Sequence, residues 1–308
     1  MIQYLVKRAL IFFPMALFLM LLVFAIMDFT PGDPARLILG ERATESQLQI
    51  MREELGLNRP FLLRYGQYVY RLAVKQDWGR SYSTRASVLS EIIRKFPYTL
   101  RLATLAVLGS AFLGLSLGML SATRPHSRFD RIASSLSIGI ASIPGFWLGM
   151  LLMLFFSLHL RVLPSNGASS WAHYILPSLA LLIPGSGSIL RLTRTMMIDA
   201  LEQDYINTAR AKGAGEGSVV FMHALKNAAP PLLTNIGMHF GYLLGGAVIT
   251  ETVFAIPGLG SHIIDAIRMK DTPVVLGSTL FISLFYYLVL TLIDIGCAML
   301  DPRIRYTR

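Results

Sequence analysis

Charge is what this chain lacks most. Only 15% of its 308 residues are Asp, Glu, Lys or Arg, against about a quarter in a soluble protein. Hydrophobic residues make up 54% and the mean hydropathy is +0.55, which excludes an ordinary soluble domain and points to a bilayer. Cysteine is nearly missing as well. Cys297 stands alone, so no internal disulfide and no cysteine-rich metal site can form. The histidines are scattered, with no pair at i,i+3 or i,i+4, and no metal site is assembled locally. Nothing matches G-x-x-x-x-G-K-[ST]. The stretch GAGEGS at Gly213 to Ser218 lacks the strand before it and the lysine after it that a phosphate cradle needs.

What remains is a series of long stretches without acidic or basic charge. Each is close to the roughly 20 residues that cross a hydrocarbon core as a helix. The charge-free runs 9–27, 102–123, 132–158, 174–190, 230–250 and 274–293 predict an all-α integral membrane protein with six transmembrane helices, bounded at 9–27, 97–123, 132–158, 174–191, 230–253 and 274–299. The fourth is short and interrupted by Pro184. The first follows Lys7-Arg8 like a secretion signal, but it is too long for a signal's apolar core. "MDFTPGD" follows it instead of a cleavage site, so it reads as a retained helix.

Basic residues set the orientation. With the N-terminus (1–8) in the cytoplasm, Arg124, Arg128 and Arg131 of the 124–131 loop join it there. So do Arg191, Arg194, Arg210, Lys212 and Lys226, and the C-terminus 300–308 with Arg303, Arg305 and Arg308. The short loops opposite, 159–173 and 254–273, hold only Arg161, Arg268 and Lys270. Both termini are therefore expected to be cytoplasmic. The net charge of +10 is largely this signal and calls for no nucleic-acid partner.

The outer segment 28–96 reads as folded. Thr44 begins a T-x-x-Q capping pattern and Gly56 can close the helix that follows. A second helix carries Phe61, Tyr65, Tyr68 and Leu72 along one stripe. Small residues recur every fourth position at Ser110, Gly114, Gly118 and Ala122, at Ser137, Ala141, Gly145 and Gly149, and at Gly237, Gly241 and Gly245. Such stripes let helices approach closely in lipid, either within one bundle or between subunits. Pro144 and Pro184 can kink their helices or free carbonyls to line a cavity.

Ionisable groups inside spans are costly and usually functional. His239 lies opposite the glycine stripe of the fifth span, facing a pathway or a neighbouring helix. Glu251 falls near the outer end of that span. Asp294 sits near the cytoplasmic face, where a structural pair with a basic residue at a neighbouring helix end, such as Arg191 or Arg194, is the favoured reading.

The most polar internal stretch is the 192–229 loop. Its pattern is two short helices about a flexible joint: Asp204 can cap the first and Gly213 end it, and Ser218 can cap a second running to Pro230-Pro231. Tyr205, Thr208, Ala209 and Lys212 share a face at helical spacing. The small side chains keep the helix slim enough for a groove on another protein.

This loop, "YINTARAKGA…HALKNAAPP", resembles the coupling loop of ABC-importer permeases of the peptide/nickel family. The resemblance runs along the chain, through "PGDPA" at Pro31, "LGLNRPFLLRYGQYV" at Leu55, "DWGRSY" at Asp77, "ETVFAIPGLG" at Glu251 and "DPRIRY" at Asp301. The leading glutamate and closing proline of the broader importer motif are absent, Asn207 standing in the glutamate's place.

The resemblance implies a type I importer fold in the bacterial inner membrane. It implies ATPase coupling through Glu202, Asp204, Tyr205, Thr208, Ala209, Arg210, Lys212 and Gly213. The implied partners are a second homologous permease, two cytoplasmic ATPase subunits and an extracytoplasmic substrate-binding protein. This chain would bind no cofactor and perform no covalent chemistry, ATP and Mg being used by the ATPases. Cargo would be short peptides, nickel or metal chelates, or glutathione-like molecules. The competing classes are a self-sufficient secondary transporter or channel, which favours paired midplane charges or inverted repeats, and an intramembrane enzyme, which needs a catalytic pair. Neither signature is evident.

Overall fold

A computed structural model describes residues 2–300. The expected cytoplasmic C-terminus with Arg303, Arg305 and Arg308, the "DPRIRY" motif and the Lys7 side chain lie outside the described residues or side chains. The described chain is helical, with one isolated bridge between Arg80 and Ser87 and no strand. It divides into two units: Met1–Tyr98 with Pro257–Tyr287, and Thr99–Ile256 with Leu288–Arg308.

The first unit opens with α1 (Ile2–Phe29) and continues through α2 (Pro34–Leu39), α3 (Glu45–Glu54) and α4 (Phe61–Lys75). The predicted cap of α3 is present, as a reciprocal box between Thr44 and Gln47. Gly56 closes that helix at φ +71°, with Gly56 N bonded to Glu53 O and Leu57 N to Arg52 O, a Schellman turn. Helix α2 was not expected. Asp33 caps it and is gripped by Arg52 of α3 at 2.7 and 3.0 Å. The aromatic stripe of α4 packs on Phe24 of α1, with ring centroids 5.1 Å away for Phe61 and 5.8 Å for Tyr65. Leu276 and Leu280 complete this core with Ala16 and Met20.

Those two leucines belong to α14 (Thr272–Leu300), preceded by α13 (Leu259–Arg268). The latter is a helix inside what reads from sequence as an outer loop. Between them Lys270 is buried, and its Nζ bonds the carbonyls of Met27 at 3.0 Å and Thr30 at 2.5 Å. A cation there answers both the orphan carbonyls and the negative end of α1. Burial pulls the Lys270 amine below its usual range.

The second unit holds most of α5 (Val88–Thr123), then α6 (Arg128–Ala141), α7 (Gly145–Leu152) with a π-helical extension Met153–His159, and α8 (Ala172–Leu201). After the short α9 (Asp204–Ala211) and α10 (Glu216–Ser218) comes a π-helical stretch, Val219–Ala224. It runs into α11 (Leu225–Gly246) and α12 (Val248–Val253). Helix α8 is the hub, because the small-residue stripes of its neighbours close on it. A Cβ on Gly114 would lie 2.6 Å from Ile189 Cβ, and one on Gly118 2.6 Å from Thr193 Cβ. On another side, a Cβ on Gly187 would meet Ser137 O at 2.6 Å. The α5 and α6 stripes therefore serve packing within this bundle, whereas on the third stripe a Cβ at Gly237 would meet Ile293 and one at Gly245 would meet nothing within 4 Å.

Among the described residues four helices are long and apolar enough to span a membrane: Leu10–Phe29, Val88–Thr123, Ala172–Leu201 and Thr272–Met299. The pair Arg128–Ala141 and Gly145–His159 adds a fifth only as a span bent by 96° at Pro144, so the third expected span is broken rather than gently kinked. Helix Leu225–Gly246 is not among them. Helix α8 continues past the expected end at 191 to Leu201. Helix α11 begins before Pro230-Pro231 and runs through them, since prolines are tolerated in membrane helices when other groups take up the freed carbonyls.

Candidate functional site

The polar segment singled out from sequence becomes a short helical ledge between α8 and α11. Helix α9 ends in a second Schellman turn: Gly213 sits at φ +87°, its N–H reaching Arg210 O at 2.9 Å and the Ala214 N–H reaching Ala209 O at 3.1 Å. A left-handed residue at that step is why glycine stands there. Arg210 spans the turn to Glu216, with bonds of 2.9 and 3.2 Å. That hydrogen-bonded guanidinium holds the Glu216 carboxyl below its usual range. The joint is therefore a defined corner rather than a flexible linker.

Two capping expectations are corrected. Asp204 is the first residue of α9 after Gln203, which makes no side-chain cap. Ser218 lies inside the following helix, whose N-cap is Gly215. The shared face needs correction too. Ile206 and Ala209 are buried, at 0% and 8% exposure. Ile206 belongs to an apolar cluster with Met197, Ala200, Val219, Val220 and Ala224. Helix α9 thus has a core of its own to sit on, and Ala209 points inward. Glu202, Asp204, Tyr205, Thr208, Arg210, Lys212 and Gly213 remain exposed. The outward surface is polar apart from the Tyr205 ring.

Beside α8, a clamp within the bundle rests on a residue that sequence reasoning missed. Asp130, at 2% exposure, takes a two-pronged contact from Arg194 of α8, Nε to Oδ1 at 2.5 Å and Nη2 to Oδ2 at 2.8 Å. The Ser121 hydroxyl at the end of α5 and the His126 N–H also donate to it. Three helix ends meet on one carboxylate. The signal in the sequence was the S-x-x-D pattern Ser127–Asp130, with Ser127 Oγ accepting from Asp130 N at 3.1 Å. Arg194 is thus engaged by Asp130, and Arg191 donates to Ser137 O at 3.0 Å. Arg191 and Arg194, the two examples of a basic partner for Asp294, thus contact α6.

His239 and the two prolines come together. A cavity of about 440 Å³ is lined by Pro144, Phe146, Pro184, Ser188, His239 and Tyr242 among others. Pro184 cannot donate to Ala180 O, and Gly145 at the start of α7 packs over that carbonyl, where a Cβ would stand at 3.1 Å. His239 stacks on Tyr242 with ring centroids 6.4 Å apart, and its Nε2 is buried without a hydrogen-bond partner. A Cβ on Gly185 would lie 2.3 Å from that nitrogen, so glycine is required opposite it. The sequence favours a plain packing kink at both prolines, and both are found among the residues lining this cavity. Glu251 is fully buried and accepts a 2.5 Å hydrogen bond from Thr99 Oγ1, the geometry of an internal tether. Among the described residues no group of three or more His, Cys, Asp or Glu side chains could hold a metal ion.

Comparison with known proteins agrees with this arrangement. The family described as "Binding-protein-dependent transport system inner membrane component" matches residues 114–306, and its N-terminal companion, "Binding-prot-dependent transport system membrane comp, N-term", matches residues 1–103. The glutathione transport system permease protein GsiC of Escherichia coli (strain K12) is 39% identical over 306 residues, 99% of this chain and 100% of that protein. The GsiC protein of Salmonella typhi is equally similar over the same span. Among solved structures, an inward-facing MetNI methionine ABC transporter matches with a TM-score of 0.56 at 20% identity. That match covers 69% of this chain and 97% of the other and speaks for the fold alone. A permease of this kind is not itself an enzyme, and it resides in the inner membrane as a multi-pass protein. The chain belongs to the binding-protein-dependent inner membrane components, as an ABC-importer permease of the peptide/nickel type.

Proposed function

We propose that the protein forms half of the translocation pathway of an ATP-driven importer for short peptides. It would pair with a second, homologous permease, two ATPase subunits and an extracytoplasmic binding protein. In this reading the chain would cross the membrane six times with both termini in the cytoplasm, which would put the α9 ledge on the ATPase side and the α2–α4 segment outside. The 440 Å³ cavity around His239 would line the pathway. ATP and Mg would be bound by the ATPase subunits and not by this chain.

The observation that carries the reading is the ledge itself. A polar helix is seated on its own apolar cluster and braced by the Arg210–Glu216 pair, so a push on its exposed face is passed to α8 and α11 instead of being absorbed in a loop. For cargo, the relatives are glutathione permeases by name, which favours a peptide over nickel or a metal chelate.

The test is reconstitution of the permease pair with its ATPases and binding protein in lipid. Short peptides should stimulate ATP turnover and be taken up. Uptake by the permease alone, driven by an ion gradient, would instead support a secondary transporter. Stimulation by nickel chelates and not by peptides would move the cargo assignment.

A further inference from the structure

The first unit contains a second cavity, of about 520 Å³, that the pathway reading does not use. Its floor is phenolic. The Tyr68 hydroxyl of α4 is buried with no hydrogen-bond partner, and Tyr82 lines the cavity beside it. Burial raises both phenols, Tyr82 to about 12, so both are neutral hydroxyls at physiological pH.

Its walls are rich in guanidinium. Arg64 is held by Asp28 at 2.6 Å and Arg85 lies 3.5 Å from Glu54. Arg59 bonds only neutral Gln67 and donates to no carboxylate. Arg71 and Arg80 also line the cavity, and among the described residues neither side chain has a hydrogen bond or ion pair. Glu53 and Asp77 share the wall, and Asp77 is turned onto the Gly79 N–H at 2.9 Å. Three cations without a carboxylate thus surround a buried hydroxyl that lacks an acceptor.

From this geometry we infer a binding site for a small molecule with two carboxylates, one forked by Arg71 and Arg80 and one reaching the Tyr68 hydroxyl. Guanidinium forks match carboxylates in two parallel hydrogen bonds, and the cavity falls within the size range of small-molecule sites. A short peptide with a free C-terminus and an acidic side chain has this chemistry. That identification with cargo rests on the importer reading above, whereas the site itself does not.

The test uses the complete complex in nanodiscs, without binding protein, and a labelled tripeptide carrying two carboxylates alongside its diamide. The diacid should bind, more weakly as salt is raised, and the diamide should not. Arg71→Gln/Arg80→Gln should lower affinity about tenfold or more per guanidinium. Folding should be spared, because both side chains are exposed and make no internal bond. Tyr68→Phe, which keeps the ring, should weaken binding severalfold. Equal binding of diacid and diamide, or unchanged affinity in the double variant, overturns the site. If the double variant binds the tripeptide normally but no longer captures the binding protein, the patch is a docking surface and the proposal fails. With binding protein added to the same nanodiscs, absence of stimulated ATP turnover in the wild type would fail the importer reading, while the diacid-to-diamide ratio measured without it still decides the site.

Discussion

Two neighbouring residues on α9 separate seating from docking. Ala209 faces the protein's own cluster and Thr208 faces out, so the same substitution at each should have opposite signatures. Arginine at 209 cannot be accommodated in place. Overpacking costs about 1–3 kcal/mol, and a buried unpaired charge costs more. The total is capped by what it takes to lift α9 off its seat. That is the burial of Ile206, about 1.5–3 kcal/mol, plus the Ala209 methyl at about 0.8 kcal/mol. Ala209→Arg should therefore cost roughly 3 kcal/mol of local stability and release the ledge. Thr208 is exposed and bonds only Asp204 O, at 3.1 Å, so Thr208→Arg should stay within about 0.5 kcal/mol of wild type. Its effect should fall on the partner: ATPase co-purified per permease should drop about tenfold or more, since a bulky cation meets a fitted surface. Thermal unfolding in detergent, protease sensitivity near Gly213 and ATPase capture are the readouts. Full ATPase capture by Thr208→Arg would refute docking through this face. An unchanged melting profile and cleavage pattern for Ala209→Arg would refute the inward seat.

The Asp130–Arg194 clamp predicts that Asp130→Ala destabilises by about 3–5 kcal/mol, because Arg194 is left without its acceptor. Asp130→Ala/Arg194→Met should recover part of that loss, and additive single effects in the cycle would show that the contact carries nothing. His262, 3.3 Å from Glu91, has its basicity lowered mainly by burial. The unfolded chain then takes up this proton before the folded one does, so stability is present above the ordinary value of 6.5 and lost as pH falls through the folded value. A His262→Gln variant should show a shallower fall of melting temperature with acid, and parallel curves would contradict the assignment. Single cysteines at Ser87 and Gly215 in a Cys297→Ser background should label from opposite faces with an impermeant thiol reagent, and labelling from one face would break the topology.

Local chemistry was legible in the sequence, and distant chemistry was not. The Thr44–Gln47 box, the glycine stops at Gly56 and Gly213 and the aromatic stripe of α4 depend on a few adjacent residues, and each could be read directly. The small-residue stripes announced close packing but not its target, which needed α8 beside them. Proline misled at Pro230-Pro231, where the sequence reads as a stop and the helix continues, yet at Pro144 it understated a full break. Periodicity grouped Ala209 with Thr208, but a helix this short shows which side is inward only once the Met197–Val219 cluster exists. Least visible were the long-range polar contacts. Asp271 accepts from Ser81 Oγ across 190 residues of sequence, and no spacing rule connects them.

The Lys270 contact bears on how the protein is made. The carbonyls of Met27 and Thr30 that it satisfies leave the ribosome first, and the lysine follows Thr30 by 240 residues. At synthesis rates of about 5–20 residues per second, that interval is roughly 10–50 s. Throughout it the C-terminal carbonyls of α1 have to be satisfied by water or headgroups, and its core partners Leu276 and Leu280 do not yet exist. The second unit draws most of its residues from the uninterrupted stretch Thr99–Ile256, so most of it is available before the first can close. A nascent chain stalled anywhere before residue 270 therefore lacks the cation that answers the last carbonyls of its first helix.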